Sequence, residues 1–570
     1  MAISMVILGD SAMAVVPAST PIPKAVPPGE KVAPSAGSLR ESAQPPKPEE
    51  PVAPQVKLYI REYRVLGARL LNPLEVQEVV YPFLGPGRTP DDVDQARMAL
   101  EKAYRDKGFQ TVNVEIPEQR ANRGVVLLQV VENKVGRLRV KGSRYYSLDE
   151  IKRRAPSVAE GTVPNFNDIT RDIVSLNQLP GRQVTPSLKP GVTPGTVDID
   201  LTVKDTLPLH GSIELNNRYS ADTVPLRLNA SLSYNNLWQL GHSLGVSYQV
   251  APERSEDANV ISGFYSVRFP AVPWLSLVLQ GTKQDSNVST LGGAAVNGKG
   301  EIVGGRAIVT LPPAPGFFHS LSLGFDYKHF DEAVRFGFSE TLTPVYYYPF
   351  STSYNATWLR ERTGAADNTA EEARVNYGWL TELNLAINHH FRGMGSSLAG
   401  FDSKRFKADG SYFYLRGDLT HTHDLPAGMQ VVAKVQGQAA SQPLLNSEQF
   451  AGGGLSTVRG YLESTALGDN AIFGTVELHS PSILGSHKDK DKDKTNEWRL
   501  YLFCEGGVLS LNEALPDQDA RIDLASMGFG TFIDLWEHFH GSLDVGVPLI
   551  SQGETKAHEA QLTFRVWADF

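Results

Sequence analysis

Arg459 sits in a stretch of unusual texture, GGGLSTVRGYLE at residues 452–463, and a carboxylate with small neighbours follows in FCEGG at 503–507. Arginine and glutamate so placed suit one kind of chemistry, a charge-assisted bidentate ion pair. Glycine permits the tight backbone conformations that a loop needs to fold back into a confined space. An arginine carried there needs a carboxylate partner, because a buried charge left unpaired is costly. The motif residues are therefore Val458, Arg459, Gly460 and Tyr461 in the loop, and Phe503, Glu505 and Gly507 on the candidate partner strand. A solvent-exposed hairpin arginine with no fixed partner fits the spacing equally well. What surrounds the loop decides between them.

Other arrangements invite chemistry and lack a part. Residues 241–245, GHSLG, match the nucleophile elbow, but that elbow needs a helix after its serine and GVSYQVAP reads as strand. Residues 293–299, GAAVNGK, resemble a phosphate loop, yet Gly300 stands where Ser or Thr would meet magnesium, so an outer loop is expected. Asp489, Asp491 and Asp493 fall at calcium-loop spacing. Lysines interleave them, no glycine takes the sixth position and Leu500 takes the twelfth, so a solvated turn is expected. His538 and His540 share a strand face without a third ligand and read as lumen or girdle histidines. Cys504 is the single cysteine, which excludes an internal disulfide and any multi-cysteine zinc site; it reads as a small packing residue. No catalytic residue, cofactor site or metal site is expected.

The elements that position the arginine follow from the bulk of the chain. At 570 residues, 41% apolar and 21% charged, most of it should fold. A net charge of −9 argues against nucleic acid as a partner. No apolar run is long enough for a membrane helix, but a barrel strand needs only about 10 alternating residues. Residues 1–14 carry a short apolar stretch and an Ala12-Met13-Ala14 cleavage site without a basic start, and read as a degraded or mis-started export signal. Residues 15–55 are rich in Pro, Ala, Glu and Lys and are expected to form a disordered tether.

From about residue 57 to 205 the chain repeats itself. The first copy reads β-α-α-β-β: a strand over 58–66, a short helix opened by Asn72-Pro73, a longer one opened by Thr89-Pro90-Asp91-Asp92, then the alternating runs FQTVNVEIP and GVVLLQVVE. Val93, Ala96, Leu100 and Tyr104 form one apolar stripe, and Gly108 ends the helix. The second copy runs through GRLRVKG, a capping-box signal at Ser147–Glu150, a helix with Ile169, Ile173 and Leu176 on one face, and strands RQVTPSL and GTVDIDLTVKD. Gly67 aligns with Gly142 and Gly87 with Gly161, so two tandem α+β modules of about 75 residues are expected.

After residue 207 helix signals vanish. Segments such as LRLNASLSYNNL, YFYLRGDLTHTH and QLTFRVWADF set small or polar residues against apolar ones, with long polar loops such as RERTGAADNTAEEA between them. No blade-length repeat supports a propeller. One polar and one apolar face per strand suits a lumen and a lipid exterior, and the length accommodates about 16 strands. Leu562, Phe564, Val566, Ala568 and Phe570 share a face of the last strand, as a closing strand requires; a soluble sandwich could end the same way.

The VRGY motif at 458–461, with the glycines 452–454 and Ser456 before it, resembles the sixth extracellular loop of two-partner secretion translocators. These are the haemolysin secretion/activation-type outer-membrane transporters, in a superfamily that also holds barrel-assembly factors. The resemblance covers almost everything from residue 57. The modules at 56–133 and 134–206 look like two POTRA domains, and 176–205 is similar to the family's second one. FCEGG corresponds to the family's F-x-D-x-G strand motif, with Glu505 in place of Asp. The plug helix of some members is not evident.

The resemblance implies a membrane β-barrel of about 16 antiparallel strands at 207–570, preceded by two tandem α+β POTRA domains, with the loop at 446–463 inserted in the lumen. It implies a Gram-negative outer membrane, POTRA domains in the periplasm, and an unfolded β-rich exoprotein as partner, passed through the pore without ATP. Outer-membrane lipid and the barrel-assembly machinery, engaged through the strand ending at Phe570, are the other expected partners. The alternative is an assembly factor that inserts other barrels. A passive porin has no use for tandem modules and ranks last.

Overall fold

The computed structural model describes residues 57–570 apart from 121, 178, 180, 270, 271, 286–298, 337, 338, 361–377, 485–495 and 517. The expected export segment, the Pro-rich tether, the acidic loop after residue 360, most of the phosphate-loop look-alike and the lysine–aspartate run lie outside the described residues.

Two compact units divide the chain near residue 207. In the first, the helix signals act as read, whereas the expected strand over 58–66 breaks at Arg61 into Leu58–Ile60, which pairs with Gly85–Arg88, and Glu62–Leu66. Asn72 and Thr89 cap helices Pro73–Val80 and Pro90–Asp106, each with a reciprocal bond from the acid three residues on. The longer helix buries Val93, Ala96, Leu100 and Tyr104 against a sheet in which Glu62–Leu66 runs parallel to Val125–Glu132 and Val112–Glu115 antiparallel to it. The sequence run 109–117 supplies only the four-residue strand Val112–Glu115. The second module repeats this order. Lys134–Lys141 runs parallel to Thr196–Asp205, and Arg182–Pro190 lies antiparallel on the other side. Helix Phe166–Asn177 buries Ile169, Ile173 and Leu176. Ser147 caps helix Leu148–Arg153, while the Glu150 carboxylate takes bonds from Arg153 and Arg154.

The repeat is also visible in backbone strain. Gly67 and Gly142 each follow the first strand of their module with φ of +85° and +86°. A Cβ at either would overlap a carbonyl oxygen of the third strand, that of Val130 or of Val203. Each module therefore turns at a position that only glycine fits. The face of the second sheet carries a concentrated charge. Asp200 takes Arg139 at 2.9 Å, Lys141 at 2.8 Å and Lys189 at 3.0 Å. The hydrogen bonds from Lys141 and Lys189, with Arg139 beside them, hold its carboxyl well below the usual carboxylate range.

The second unit is a closed 16-strand antiparallel barrel running from Leu209–Asn216 to Gln561–Asp569, which pair with each other. Ser339–Tyr347 and Phe350–Arg360 are two halves of one wall strand, both pairing with Phe317–Phe336. Closure leaves no free sheet edge in the wall. Alternation sorts the faces. On Glu497–Ser510, Leu500 and Leu502 point outward while Tyr501, Phe503 and Glu505 are buried in the lumen. Leu562, Val566 and Phe570 of the last strand are exposed on the outer face. All seven tryptophans, at 238, 274, 358, 379, 498, 536 and 567, lie at or beside strand ends on the rim where residue 209 begins. That is the distribution of a membrane-interface girdle. Among the described residues of this unit one α-helix occurs, against expectation. Leu398–Lys404, capped by Ser397, has seven residues and buries only Phe401, too short to leave a periodic signal.

Two predictions concern the 57–206 segment, whose two modules each have their own core. Gly67→Ala or Gly142→Ala destabilises it by about 1–3 kcal/mol, seen as a lower urea midpoint at unchanged slope in far-UV circular dichroism. Gly87→Ala and Gly161→Ala, where a Cβ meets nothing within 4 Å, lower it less. A carboxyl whose folded pKa is depressed stabilises above its unfolded value, about pH 4, and loses that contribution as pH falls. The urea midpoint of Asp200→Asn is therefore below wild type at pH 6 and converges on it in acid; a constant difference at all pH values would refute the charge assignment.

Candidate functional site

Residues 441–469 connect strands Gln430–Ala440 and Asn470–His479 and fold back into the barrel. The returning stretch is longer than the expected 446–463 and is braced by its own pairing of Phe450–Gly452 with Ala466–Gly468. Val458, Arg459 and Tyr461 at its far end are all buried. Val458 packs with Phe450, Tyr461, Phe473, Leu509 and Leu524, an apolar cluster shared by loop and wall. Gly453 and Gly454 make the bend at positive φ, with Thr457 Oγ1 hydrogen-bonded to both main-chain groups of Gly453.

The structure brings Arg459 and Glu505 together. Glu505 Oε1 accepts from Nε at 2.8 Å and from Nη2 at 2.5 Å, and Oε2 accepts the Arg459 backbone N–H at 2.5 Å. This is not the fork-to-fork pairing expected from residue types, since one oxygen takes both guanidinium nitrogens and the other takes the main chain. Two further carboxylates complete the site. Asp544 Oδ1 accepts from Nη1 at 3.0 Å, and Glu477 accepts from Nη2. The guanidinium lies 3.7 Å from the centre of the Phe503 ring, an attractive cation–π geometry. Tyr501 donates to Asp544 at 2.7 Å, and His479 faces Glu477 at 2.7 Å while stacking on Tyr501. Lys434 and Gln436 both donate to the carbonyl of Ser456, holding the loop just before the motif.

The glycine of VRGY has a steric reason. Gly460, at φ +91°, lies against Gly546 so closely that a Cβ on either would enter the other's backbone. Tyr461 then donates its hydroxyl to the carbonyls of Ile550 at 2.7 Å and Ala525 at 3.1 Å. Gly507 leaves room for the ring of Phe473. Sequence reading missed Glu477, Asp544 and Gly546. The available signal was an acid inside an otherwise apolar and small alternating strand, in TVELHS and SLDVGVP.

The remaining candidates fall elsewhere. His242–Val250 is a strand, so no helix follows Ser243. Cys504 is exposed on the outward face of its strand, which corrects the packing role expected of it. His540 lies between Asp534 and Asp569 and stacks on Trp567, whereas His538 precedes the strand and is exposed. Among the described residues no group of three His, Cys, Asp or Glu could hold a metal ion. What the arrangement does is hold a charged loop tip at a fixed depth.

Comparison with known proteins agrees with this architecture. Residues 58–133 match the model of the POTRA domain, ShlB-type, and residues 367–532 match that of the haemolysin secretion/activation protein ShlB/FhaC/HecB. The outer membrane transporter CdiB of Dickeya dadantii is 22% identical over 453 residues, covering 74% of this chain and 72% of that protein. The heme/hemopexin transporter protein HuxB of Haemophilus influenzae is 19% identical over 472 residues, covering 80% and 78%. Among solved structures, CdiB from Escherichia coli superposes with a TM-score of 0.57 at 19% identity, over 92% of this chain and 93% of that one. BamA from Haemophilus ducreyi lacking POTRA domains 1–3 gives 0.53 at 15% identity, over 90% and 100%. At these identities the superpositions establish the fold, and the sequence matches carry the family resemblance. In these matches the chain is similar to outer-membrane transporters of the haemolysin secretion/activation type, the two-partner secretion translocators, with a ShlB-type POTRA domain before its barrel.

Proposed function

We propose that the protein receives an unfolded, β-rich exoprotein in the periplasm and passes it through the barrel, with folding outside giving direction and no ATP consumed. The second module, 134–206, serves as a second POTRA domain. The observation that carries this reading is the buried Arg459 with three wall carboxylates, because a fixed porin needs no such lock on a loop that fills its pore.

Capture by strand addition needs an open sheet edge, and the modules leave few. Asn177 bonds both main-chain groups of Val184 on the outer strand of the second module, at 2.7 and 3.1 Å. Pro186 and Pro190 lie at the same parity on that strand and offer no N–H. In the first module Glu101 takes the N–H of Val114 at 3.1 Å, and Gln119 takes both groups of Leu127. The strand Glu62–Leu66 is the edge best suited to accept an incoming chain. Assembly with the barrel-insertion machinery would run through the strand that ends before Phe570.

Arg459 and Glu505 act as the pore's resting lock. Arg459→Ala and Glu505→Ala reduce secretion of the exoprotein by roughly tenfold or more, since either leaves buried charge unpaired, while the barrel still shows heat-modifiable gel migration. Normal secretion by both variants would remove the lock from the mechanism. Quantitative proteomics of medium and outer membrane, with and without the gene, tests the function itself. One large exported protein should vanish from the medium with other barrels unchanged; a general loss of outer-membrane barrels would make the protein an assembly factor.

A further inference from the structure

The lumen loop is held at a second place that the arginine motif does not involve. Glu448, near the start of the loop, is 1% exposed. Its Oε1 accepts from Lys328 Nζ at 2.8 Å and from the Tyr347 hydroxyl at 2.6 Å, and its Oε2 accepts from the Tyr414 hydroxyl at 2.8 Å. The main chain is fixed at the same point. Arg416 Nη2 donates to the carbonyls of Glu448 at 3.2 Å and Gln449 at 3.3 Å, and Gln438 Nε2 donates to that of Glu448 at 3.2 Å. Phe330, Tyr347, Phe401, Tyr414, Leu444 and Leu445 belong to one buried apolar cluster around this pair, which excludes water and strengthens it.

Two features set this contact apart from the Arg459 site. Its polarity is reversed, with the carboxylate on the loop and the cation on the wall. Its wall is also different. Lys328, Tyr347 and Tyr414 stand on strands Phe317–Phe336, Ser339–Tyr347 and Tyr412–Asp424, which precede the loop in the barrel order. The partners of Arg459 stand on Asn470–His479, Glu497–Ser510 and Phe539–Pro548, which follow it. The tip and the base of the loop are thus held by ionic attachments on separate parts of the wall, beside further pairs of Glu463 with Arg218 at 2.7 Å and of Asp469 with Arg405 at 3.4 Å.

We propose that Glu448 is a positioning residue for translocation, anchoring the base of the loop independently of the lock at its tip. A passing chain displaces the tip from its carboxylates while the base stays fixed, and the anchored base returns the tip afterwards. This rests on the reading of the loop as the element that closes the pore.

Planar-bilayer conductance of the purified full-length protein separates the two attachments. Four forms are compared, each with an intact barrel by heat-modifiable migration: wild type, Arg459→Ala, Glu448→Gln and the double variant. Arg459→Ala gives brief openings, and adding Glu448→Gln raises open-state occupancy on the order of tenfold above Arg459→Ala alone. Exchanging the charges, Lys328→Glu with Glu448→Lys in the Arg459→Ala background, brings occupancy back down, which a general loosening of the fold would not do. If Glu448→Gln does not fold, the Lys328→Met/Glu448→Leu pair, which leaves no buried charge, replaces it with the same expected rise. A double variant that conducts as Arg459→Ala does, with Arg459→Ala itself above wild type, overturns the anchor alone. Wild-type conductance in all four forms overturns the closing loop and the anchor together.

Discussion

A guanidinium cannot be deprotonated at any ordinary pH, so an arginine carried into a barrel lumen must be matched there by negative charge. Much of the second unit's interior follows from that constraint. Three carboxylates on three strands point at Arg459, and the ring of Phe503 lies beneath it. The wall is small where the loop comes against it, at Gly546, and Gly507 leaves room for the ring of Phe473 in the neighbouring strand. The excess negative charge is in turn met by Tyr501, which donates to the same Asp544 oxygen that Arg459 uses, and by His479, which faces the other oxygen of Glu477.

The two units solve the problem of sheet edges in opposite ways. The barrel closes on itself and has none in its wall. The modules are open three-stranded sheets and cover their edges residue by residue, with Asn177, Glu101 and Gln119 standing in for missing strands and prolines withholding donors. A side-chain amide that bonds both N–H and C=O of one residue imitates a strand while remaining free to leave. Edges managed in this way stay soluble in the absence of a partner.

How much was legible depended on how local the signal was. Helix caps and the Val93–Tyr104 stripe are fixed by residues a few positions apart and could be read directly, while Gly67 and Gly142 were legible as matching positions of a repeat and not as turns. Arg459 was legible because glycines framed it, and Glu505 because its strand neighbours are small. Glu477 and Asp544, 18 and 85 residues from Arg459, were not. Alternation says that a residue faces the lumen but not which lumen residues meet at one depth; closure and stagger of the whole barrel decide that. The same limit hid Glu448, whose cation lies 120 residues earlier. Cys504 shows the converse, since its parity on the strand placed it outward regardless of its usual preference for the core.

Charge rather than apolar packing at the tip of the loop has a physical logic. Replacing a buried ion pair by well-packed hydrophobic residues is often neutral or stabilising, so stability alone does not explain Arg459 and its carboxylates. The difference lies in what happens when the loop leaves. An apolar tip drawn into a wet, polar lumen would expose its surface at about 25 cal/mol per Å² and tend to bind whatever apolar chain was passing. An arginine and its carboxylates regain hydration when they separate, which offsets much of their lost attraction. They also re-form in one geometry, because three carboxylates and the Gly460–Gly546 contact admit only one seating of the tip. An ionic lock is therefore the kind of closure that can open to an unfolded chain and find its place again.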